Sequence, residues 1–314
     1  MNRESRIMNR PDWDVIGVGA NSVDYVYRMP AYPQPGGAHA KMRITSHTVT
    51  CGGQVLTALA TCAALGLRAK YVGSTGKDDN GKRIRDELAR RAVNADDTVI
   101  CEAANQFAVI LLDRGSGERI VLWDRDERLA AGLRQLSEET LTSARLLHVD
   151  DVDQDAAIRA AAIGRAAGIP VTSDVDRVTD RTEELVRTVS IAIFAEHVPK
   201  ALTGEEDLER ALRKLRAVQT GQLCVTLGAR GAMLLNGDQL HHEPAFQVDV
   251  VDTTGAGDVF RGAFIAAFLR GHAPAEILRF ANAAAAVSCT RLGAVNGVPT
   301  PDEIGAMMKR ATVK

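Results

Sequence analysis

The residues best suited to chemistry lie near the C-terminal end of the chain, where Gly255-Ala256-Gly257 precedes Asp258. Before them Phe246, Val248 and Val250 alternate, which predicts a strand, and apolar residues at helical spacing after them predict a helix. Small residues let backbone N–H groups approach a ligand, and a helix N-terminus attracts an anion such as phosphate. A carboxylate in the first turn would accept a proton from a hydroxyl group beside that anion. In the alternative interpretation, Asp258 only charges the helix start and the glycines only form a turn.

The wider stretch, Asp252-Thr253-Thr254-Gly255-Ala256-Gly257-Asp258-Val259-Phe260-Arg261-Gly262-Ala263-Phe264, resembles the C-terminal signature of the ribokinase-type (PfkB) carbohydrate kinases. The resemblance implies that the amides of the Gly-Ala-Gly segment form an anion hole and that Asp258 is the catalytic base. It also implies a monovalent cation, K⁺, bound by Asp252 together with carbonyl groups near residues 289–293.

Composition restricts the other functions open to the chain. Its 314 residues, 46% hydrophobic and 25% charged, are ordinary for a globular protein with one large domain or two smaller ones. A net charge of -2 and few aromatic residues argue against nucleic acid or an anionic membrane as principal partner. The five cysteines are widely spaced and include no Cys-x-x-Cys pair, which favours a reducing cytoplasm and argues against a structural zinc site.

The ends of the chain and its apolar runs set the predicted domain organisation. No apolar run approaches the roughly 18 residues that a membrane helix needs, and the polar N-terminus is not a secretory signal. We therefore predict a cytoplasmic protein with a short disordered leader at residues 1–13. A single ribokinase-like kinase domain is expected over residues 14–314.

Asp24 is the first candidate for binding an acceptor molecule. Gly17 and Gly19 at the end of a predicted buried strand suggest a dinucleotide fingerprint, but Ser22 takes the place of the third glycine. Residues 25–30 continue as extended chain where that fingerprint would need a helix. The resemblance instead implies that Asp24 holds sugar hydroxyls, whereas taken alone it is more often a turn residue.

Gly52 and Gly53 precede an apolar helix predicted over Val55–Leu65. A double glycine permits contact between the backbone and a ligand, although a plain turn is the simpler interpretation. The resembled family usually has an Asn four residues after the second glycine, in contact with the sugar. Here Thr57 occupies that position, so the acceptor contact is expected to differ.

Two segments predict a small outlying β lid, formed from parts of about 25–50 and 105–125. The first is rich in Pro and Gly and then alternates, and Phe107–Leu112 and Arg119–Trp123 form the halves of a predicted hairpin. Exposed sheet edges tend to be covered, so we expect a homodimer through the lid.

From residue 133 onward, predicted strands alternate with predicted helices. The expected strands are 146–150, 169–174 and 191–195, and the expected helices are 155–167 and 205–218. This succession predicts a parallel sheet between helices, with ligand sites at the carboxyl ends of the strands. Four carboxylates follow such ends, and contact with substrate and simple loop solvation are both open for them: Asp150, Asp151, Asp174 and Asp176.

The nucleotide site is assigned by resemblance. Thr226, Gly228 and Gly231 match the family's Thr-x-Gly-x-x-Gly nucleotide loop, which as a bare pattern is an ordinary hairpin. Asn282 lies in an Ala-rich helix at the place where the family has an Asn near adenine, and a tightly packed Ala face is the alternative. The family's Asn-x-x-Glu motif, which helps to organise magnesium, is absent, and Glu196 is left as a Mg²⁺ contact through water.

These features predict an α/β, ribokinase-like three-layer fold with a mostly parallel central sheet flanked by helices and a small β lid. The predicted activity is phosphorylation of a hydroxymethyl group on a sugar or related small polyol, with ATP and Mg²⁺. A nucleoside kinase of the same fold is the first alternative, disfavoured by the few aromatic residues near the lid. The second is a sugar- or nucleotide-binding protein without turnover, favoured only by the missing Asn-x-x-Glu. The acceptor stays open among pentoses, hexoses, sugar acids and nucleosides.

Overall fold

A nine-stranded sheet runs through the centre of the protein. The computed structural model describes residues 11–37, 40–113, 115, 119–131 and 136–310. In spatial order the strands of this sheet are β15 (Gln239–Glu243), β14 (Ala232–Asn236), β13 (Gln222–Thr226), β12 (Ile191–Ala195), β11 (Val171–Val175), β10 (Ala144–Val149), β1 (Trp13–Val18), β4 (Ala69–Val72) and β6 (Val93–Asn94). Neighbouring strands from β6 to β13 are parallel, whereas β14 and β15 form an antiparallel edge.

The central strands are parallel because their sequences are apolar on both faces. Nearly every residue of β1, β10, β11 and β12 is buried, as expected for strands covered by helices on both sides. Alternate side chains enter opposite cores: Val15 and Leu146 pack on one face of the sheet, and Ile16 and Leu147 pack on the other.

Helices cover both faces and complete the three layers. In chain order the α-helices of the described residues are α1 (Gln54–Ala64), α2 (Asp79–Arg90), α3 (Arg128–Ala131), α4 (Glu138–Thr142), α5 (Gln154–Ala166), α6 (Thr182–Thr188), α7 (His197–Thr203), α8 (Leu208–Leu215), α9 (Ala256–Leu269), α10 (Pro274–Ser288) and α11 (Pro301–Arg310). Helices α1, α9 and α10 share the core that contains Val15, while α5, α6 and α8 share the core that contains Ile16. Among the helices described, none is long and apolar enough to cross a membrane.

A second, four-stranded sheet forms the predicted lid. Its spatial order is β3 (Ser46–Gly52), β2 (Ser22–Met29), β8 (Phe107–Asp113) and β9 (Arg119–Asp124). Strand β2 starts just after β1, so the chain passes directly from the central sheet into the lid. A two-stranded sheet, β5 (Ser74–Gly76) with β7 (Val99–Cys101), lies apart from both. Most of the predicted hairpin turn and residues 1–10 of the predicted leader lie outside the described residues.

Two predictions about elements were wrong. Residues 246–250 belong to no strand, and Val250, expected on the same face as Phe246 and Val248, is exposed. The next two residues, Val251 and Asp252, donate their N–H groups to Cys289 O at the C-terminus of α10. The helix expected over 205–218 is shorter, because Asp207 caps it by accepting a hydrogen bond from Arg210 N at 2.8 Å. The other expected strands and helices are confirmed.

Candidate active site

The Gly-Ala-Gly segment forms the start of helix α9, as predicted. Gly255 is its N-cap and has φ of 76°, a left-handed conformation that suits glycine. A β-carbon on Gly255 would also lie 2.5 Å from Ala294 Cβ, so a larger residue does not fit there. Ala256 N–H donates to Thr253 O at 3.2 Å, and the following amides open the first turn, where helical N–H groups have no intrahelical acceptor.

Asp258 faces a cavity of about 280 Å³ that is rich in carboxylates. The cavity is lined by Gln54, Arg119, Asp174, Asp176, Ala195, Thr226, Thr253, Gly255, Gly257, Asp258 and Arg261. Loss of hydration raises the pKa of Asp258, Arg261 opposes that rise, and the carboxylates of Asp176, Asp24 and Asp150 add to it. A carboxylate with a raised pKa beside a helix N-terminus is suited to general-base catalysis.

Asp24 lies within β2 and is almost fully buried. Ser22 Oγ donates to Asp24 Oδ1 at 2.9 Å, and a β-carbon on Gly52 would lie 2.5 Å from Asp24 Oδ2. Gly53, with φ of 100°, turns the chain into α1. Burial raises the pKa of Asp24 to about 6, against the opposing effect of the Ser22 hydrogen bond. The structure therefore brings Asp24 and the double glycine together, although none of the three lines the carboxylate cavity.

Thr57 is placed differently from the other predicted acceptor residues. It is fully buried in α1, and its Oγ1 has no hydrogen-bond partner within the described chain. It lines neither the carboxylate cavity nor the neighbouring groove. A contact between Thr57 and an acceptor therefore stays a prediction.

The predicted nucleotide residues come together in a groove of about 400 Å³ beside α9. Thr226 ends β13, Gly228 begins a short 3-10 turn, and Gly231 precedes β14, and all three line the groove with Asn282 of α10. Asn282 Nδ2 donates to Glu243 O at 2.9 Å and to Pro244 O at 3.2 Å, which holds the segment that forms one wall. Apolar side chains around them suit a flat ring system.

Asp252 ties the anion-hole loop to the end of α10. Its Oδ1 accepts from Thr254 N at 2.9 Å, and its Oδ2 accepts from Gly293 N at 2.8 Å. These two hydrogen bonds bring Asp252 together with residues 289–293, the two parts of the predicted cation site. Each carboxylate oxygen keeps a lone pair that could bind an ion. The donor set fits K⁺, and the cation itself stays a prediction.

Glu196 lies at the start of α7, where it forms an ion pair with Arg230 of the nucleotide loop. Both side chains are exposed. Among the residues that the structure describes, no group of three or more His, Cys, Asp or Glu side chains could hold a metal ion. A Mg²⁺ contact through Glu196 therefore stays a prediction.

Two arginines of the cavity were missed by the sequence analysis. Arg119 of the lid donates to Thr253 Oγ1 at 2.8 Å and to Thr254 Oγ1 at 3.1 Å, and it lines both the cavity and the groove. Arg261 lies one turn after Asp258 and is 3% exposed. Nothing in the hairpin pattern marks Arg119, but an arginine among the apolar residues of a buried helix is a signal for Arg261.

Three of the four carboxylates at the strand ends, Asp150, Asp151 and Asp174, are buried, whereas Asp176 is exposed. Asp150 accepts from Ala20 N at 2.6 Å, and burial raises its pKa to about 7. Asp151 accepts from the amides of Asp176 and Arg177 at 2.7 and 2.6 Å. These bonds fix loops around the cavity, so the solvated alternative is wrong for both Asp150 and Asp151.

Comparisons with known proteins extend over nearly the whole chain. The model of the family described as pfkB family carbohydrate kinase matches residues 21–301. The ATP-dependent ribose-1-phosphate kinase of Halopiger xanaduensis is 29% identical over 295 residues, covering 94% of this chain and 97% of that protein. The ribokinase of Haemophilus influenzae is 25% identical over 304 residues, covering 94% and 98%. The crystal structure of ribokinase from Thermotoga maritima aligns with a TM-score of 0.81 at 25% identity, covering 95% and 99%, which confirms the predicted ribokinase-like fold.

Proposed function

The chain belongs to the pfkB family of carbohydrate kinases, and from that membership we propose that it transfers the γ-phosphoryl group of ATP to a hydroxymethyl group of a sugar or related small polyol. Asp258 accepts the hydroxyl proton, the acceptor oxygen bonds to the γ-phosphorus, and the bond from that phosphorus to the ADP oxygen breaks. The observation that carries this proposal is Asp258 in the first turn of α9, facing a cavity that shares Arg119, Thr226, Thr253 and Gly257 with the adjoining groove.

In this proposal the first turn of α9 stabilises the transferring group. The amides of Gly255, Ala256 and Gly257 and the positive end of the helix dipole face negative charge that builds up on the phosphoryl oxygens. Phosphoryl transfer relies mainly on positioning and electrostatics, so a fixed helix end is well suited to it. Arg119 adds a cation at the border between the cavity and the groove.

The acceptor would lie between the lid and the double glycine. Asp24 accepts hydrogen bonds from acceptor hydroxyls, and Gly52 and Gly53 let the backbone approach the ring. Asp24, Val26, Ala108 and Ile110 occupy one face of the lid sheet by their strand registers, with Trp123 opposite Ala108 on the same face. Trp123 is 60% exposed there, with the Arg177 guanidinium 5.9 Å from its ring centre, and the exposed part of the ring is suited to the apolar side of a sugar.

Trp123 also gives support to the nucleoside alternative, because the same ring would stack on a base. We rank sugars first, since the similar proteins of Halopiger xanaduensis and Haemophilus influenzae are named for ribose-1-phosphate and ribose. Pentoses and their phosphates therefore head the acceptors to be tested.

ATP would occupy the groove lined by Thr226, Gly228, Gly231 and Asn282, with its phosphates towards Gly257. Mg²⁺ would arrive with the nucleotide, where it neutralises phosphate charge, and Glu196 would contact it through water. Asp252 would bind K⁺ with carbonyl groups of residues 289–293.

Two further expectations complete the proposal. We infer a homodimer through the lid, because β9 is an edge strand with every residue exposed, including Ile120 and Leu122 at 41% and 55%. We also infer a cytoplasmic enzyme, since all five cysteines are free.

The proposal is tested by measuring ADP release from ATP and Mg²⁺, with and without K⁺, against pentoses, pentose phosphates, hexoses, sugar acids and nucleosides. Release that depends on one acceptor class, with the phosphate located on a hydroxymethyl oxygen by NMR, supports it. Binding of ATP and a sugar by calorimetry without ADP release over hours would instead favour a binding protein without turnover.

A further inference from the structure

Arg261 and Asp174 form a buried ion pair directly beneath the anion hole. Arg261 Nη2 lies 2.7 Å from Asp174 Oδ1, and the two residues are 3% and 1% exposed. Arg261 Nε and both Asp174 oxygens have no hydrogen-bond partner within the described chain. Apart from the contact between Arg261 Nη2 and Asp174 Oδ1, the pair has no hydrogen bond to satisfy these atoms, and such a buried pair is costly for stability, which points to a role beyond holding the fold.

The guanidinium of Arg261 also lies against the anion hole itself. A β-carbon on Gly257 would lie 2.7 Å from Arg261 Nη1, so the guanidinium occupies the space beside the Gly257 Cα. Gly257, Asp258 and Arg261 lie on one face of α9, because Arg261 follows the other two by four and three residues. A side chain anchored to β11 through Asp174 therefore fixes the position of the first turn.

Arg261 is the buried cation in a region crowded with acidic groups. The titratable and charged groups that face Asp258 from the surrounding elements are Arg261 of α9, Asp174 and Asp176 at the end of β11, Asp24 of β2, Asp150 after β10 and Arg119 of the lid. The triphosphate of ATP would bring further negative charge to the same cavity. Without a fixed cation, the surrounding carboxylates and the triphosphate would all oppose ionisation of Asp258.

We propose that Arg261 is a positioning residue for the transfer: held by Asp174, it braces Gly257 in the anion hole and supplies a fixed positive charge one turn from Asp258. The inference rests on the proposed function, in which Asp258 is the base. The pKa pattern agrees with it, since Arg261 is the largest influence that opposes the rise in the pKa of Asp258 caused by burial.

The kinetic test compares Arg261→Met, which removes the charge, with Arg261→Lys, which keeps it. We expect the acid limb of kcat to move to higher pH in Arg261→Met, with activity partly restored as the pH rises, and to stay near that of the wild type in Arg261→Lys. KM for the acceptor should change little. A uniform loss of kcat across the pH range in both variants would overturn the proposal, because that is the result of a purely structural role.

Arg261→Met leaves Asp174 buried and unpaired, which lowers stability and can prevent folding. The second variant therefore combines Arg261→Met with Asp174→Asn and removes the pair as a unit. A shift of the acid limb in the same direction but smaller is expected in it, because Asp174→Asn also removes a carboxylate that faces Asp258. An unmoved limb in this folded variant counts against the proposal.

A second test needs no turnover and so separates this inference from the proposed function. Urea unfolding is measured for wild type, Arg261→Met, Asp258→Asn and the double variant at pH 8 and pH 5. At pH 8 Arg261→Met should lower the unfolding midpoint more in the wild-type background than in the Asp258→Asn background, where the neighbouring side chain is a neutral amide. At pH 5 this difference should shrink as Asp258 is protonated. Equal effects in the two backgrounds at pH 8 would overturn the inference, whereas a wild type that phosphorylates no acceptor would overturn only the proposed function.

Discussion

Arg119 Nη1, on the lid strand β9, donates a hydrogen bond of 2.8 Å to Thr253 Oγ1 in the loop that leads into the anion hole. With the bond of 3.1 Å from the same atom to Thr254 Oγ1, this contact joins the lid to the loop before α9. It places a guanidinium at the border between the carboxylate cavity and the nucleotide groove. In the proposed reaction the lid would therefore supply a positive charge as well as cover the acceptor.

Replacing Arg119 by Met should reduce kcat/KM by about 10-fold or more, because charge-assisted hydrogen bonds to a transferring phosphate would be lost. The melting temperature should change little, since the side chain is 39% exposed. Arg128→Met is the matched control, because Arg128 lies outside the cavity with a side chain 66% exposed. Equal kcat/KM values for the two variants would show that Arg119 takes no part in the reaction.

Replacing Asp258 by Asn should lower kcat by about 100-fold or more, because the acceptor hydroxyl would lose its general base. ATP affinity, measured by calorimetry, should be retained, since the groove residues are unchanged. Turnover equal to that of the wild type would exclude Asp258 as the base.

The raised pKa of the Asp258 carboxyl group should lower the stability of the fold as the pH rises. A carboxyl group whose pKa is higher in the folded state destabilises the fold as the pH rises above its unfolded value, because the folded protein binds the proton more tightly. Asp258→Asn should therefore raise the melting temperature at pH 8, and the gain should diminish towards pH 5. A gain that is constant with pH would show that the pKa of Asp258 is not raised.

A comparison of Gly255→Ala with Gly271→Ala separates the steric effect of a methyl group at Gly255 from the backbone strain that both variants share. Their φ values are 76° and 78°, so Ala costs about 1 kcal/mol of left-handed strain at either position. Only Gly255→Ala also collides with Ala294, since the space around Gly271 is open. We expect Gly255→Ala to lose about 1–3 kcal/mol more in urea unfolding than Gly271→Ala, and to lose most of its turnover. Similar losses in both variants would mean that the site adapts to a methyl group.

The lid dimer is tested by placing a charge on its outer face. Leu122→Glu should give the mass of a monomer in light scattering where the wild type gives that of a dimer, because a carboxylate would be buried at the interface. Ile100→Glu is the control, since Ile100 is 54% exposed on β7, outside the lid sheet. A wild type with the mass of a monomer would contradict the proposed dimer.

The sequence by itself determined the parts of the protein that local patterns encode. Apolar strands that alternate with helices predicted the parallel sheet. The glycine-rich start of a helix, with a carboxylate next to it, marked Gly255 and Asp258 as candidate site residues. Thr226 and Asn282 were found only through the family resemblance, because hairpins and Ala-rich helices occur in many proteins that bind no nucleotide.

The tertiary structure decided which distant side chains meet. Arg119 and Thr253 are 134 residues apart in the sequence. Their contact depends on the orientation of the lid relative to the central sheet, which no local sequence pattern encodes. Residues 246–250 alternate in sequence as a strand would, yet form none, because a strand also requires a neighbouring strand as hydrogen-bond partner and the local pattern does not supply one. The ion pair of Arg261 with Asp174 arises in the same way, since a helix and a strand must pack before a buried charge finds its counterion.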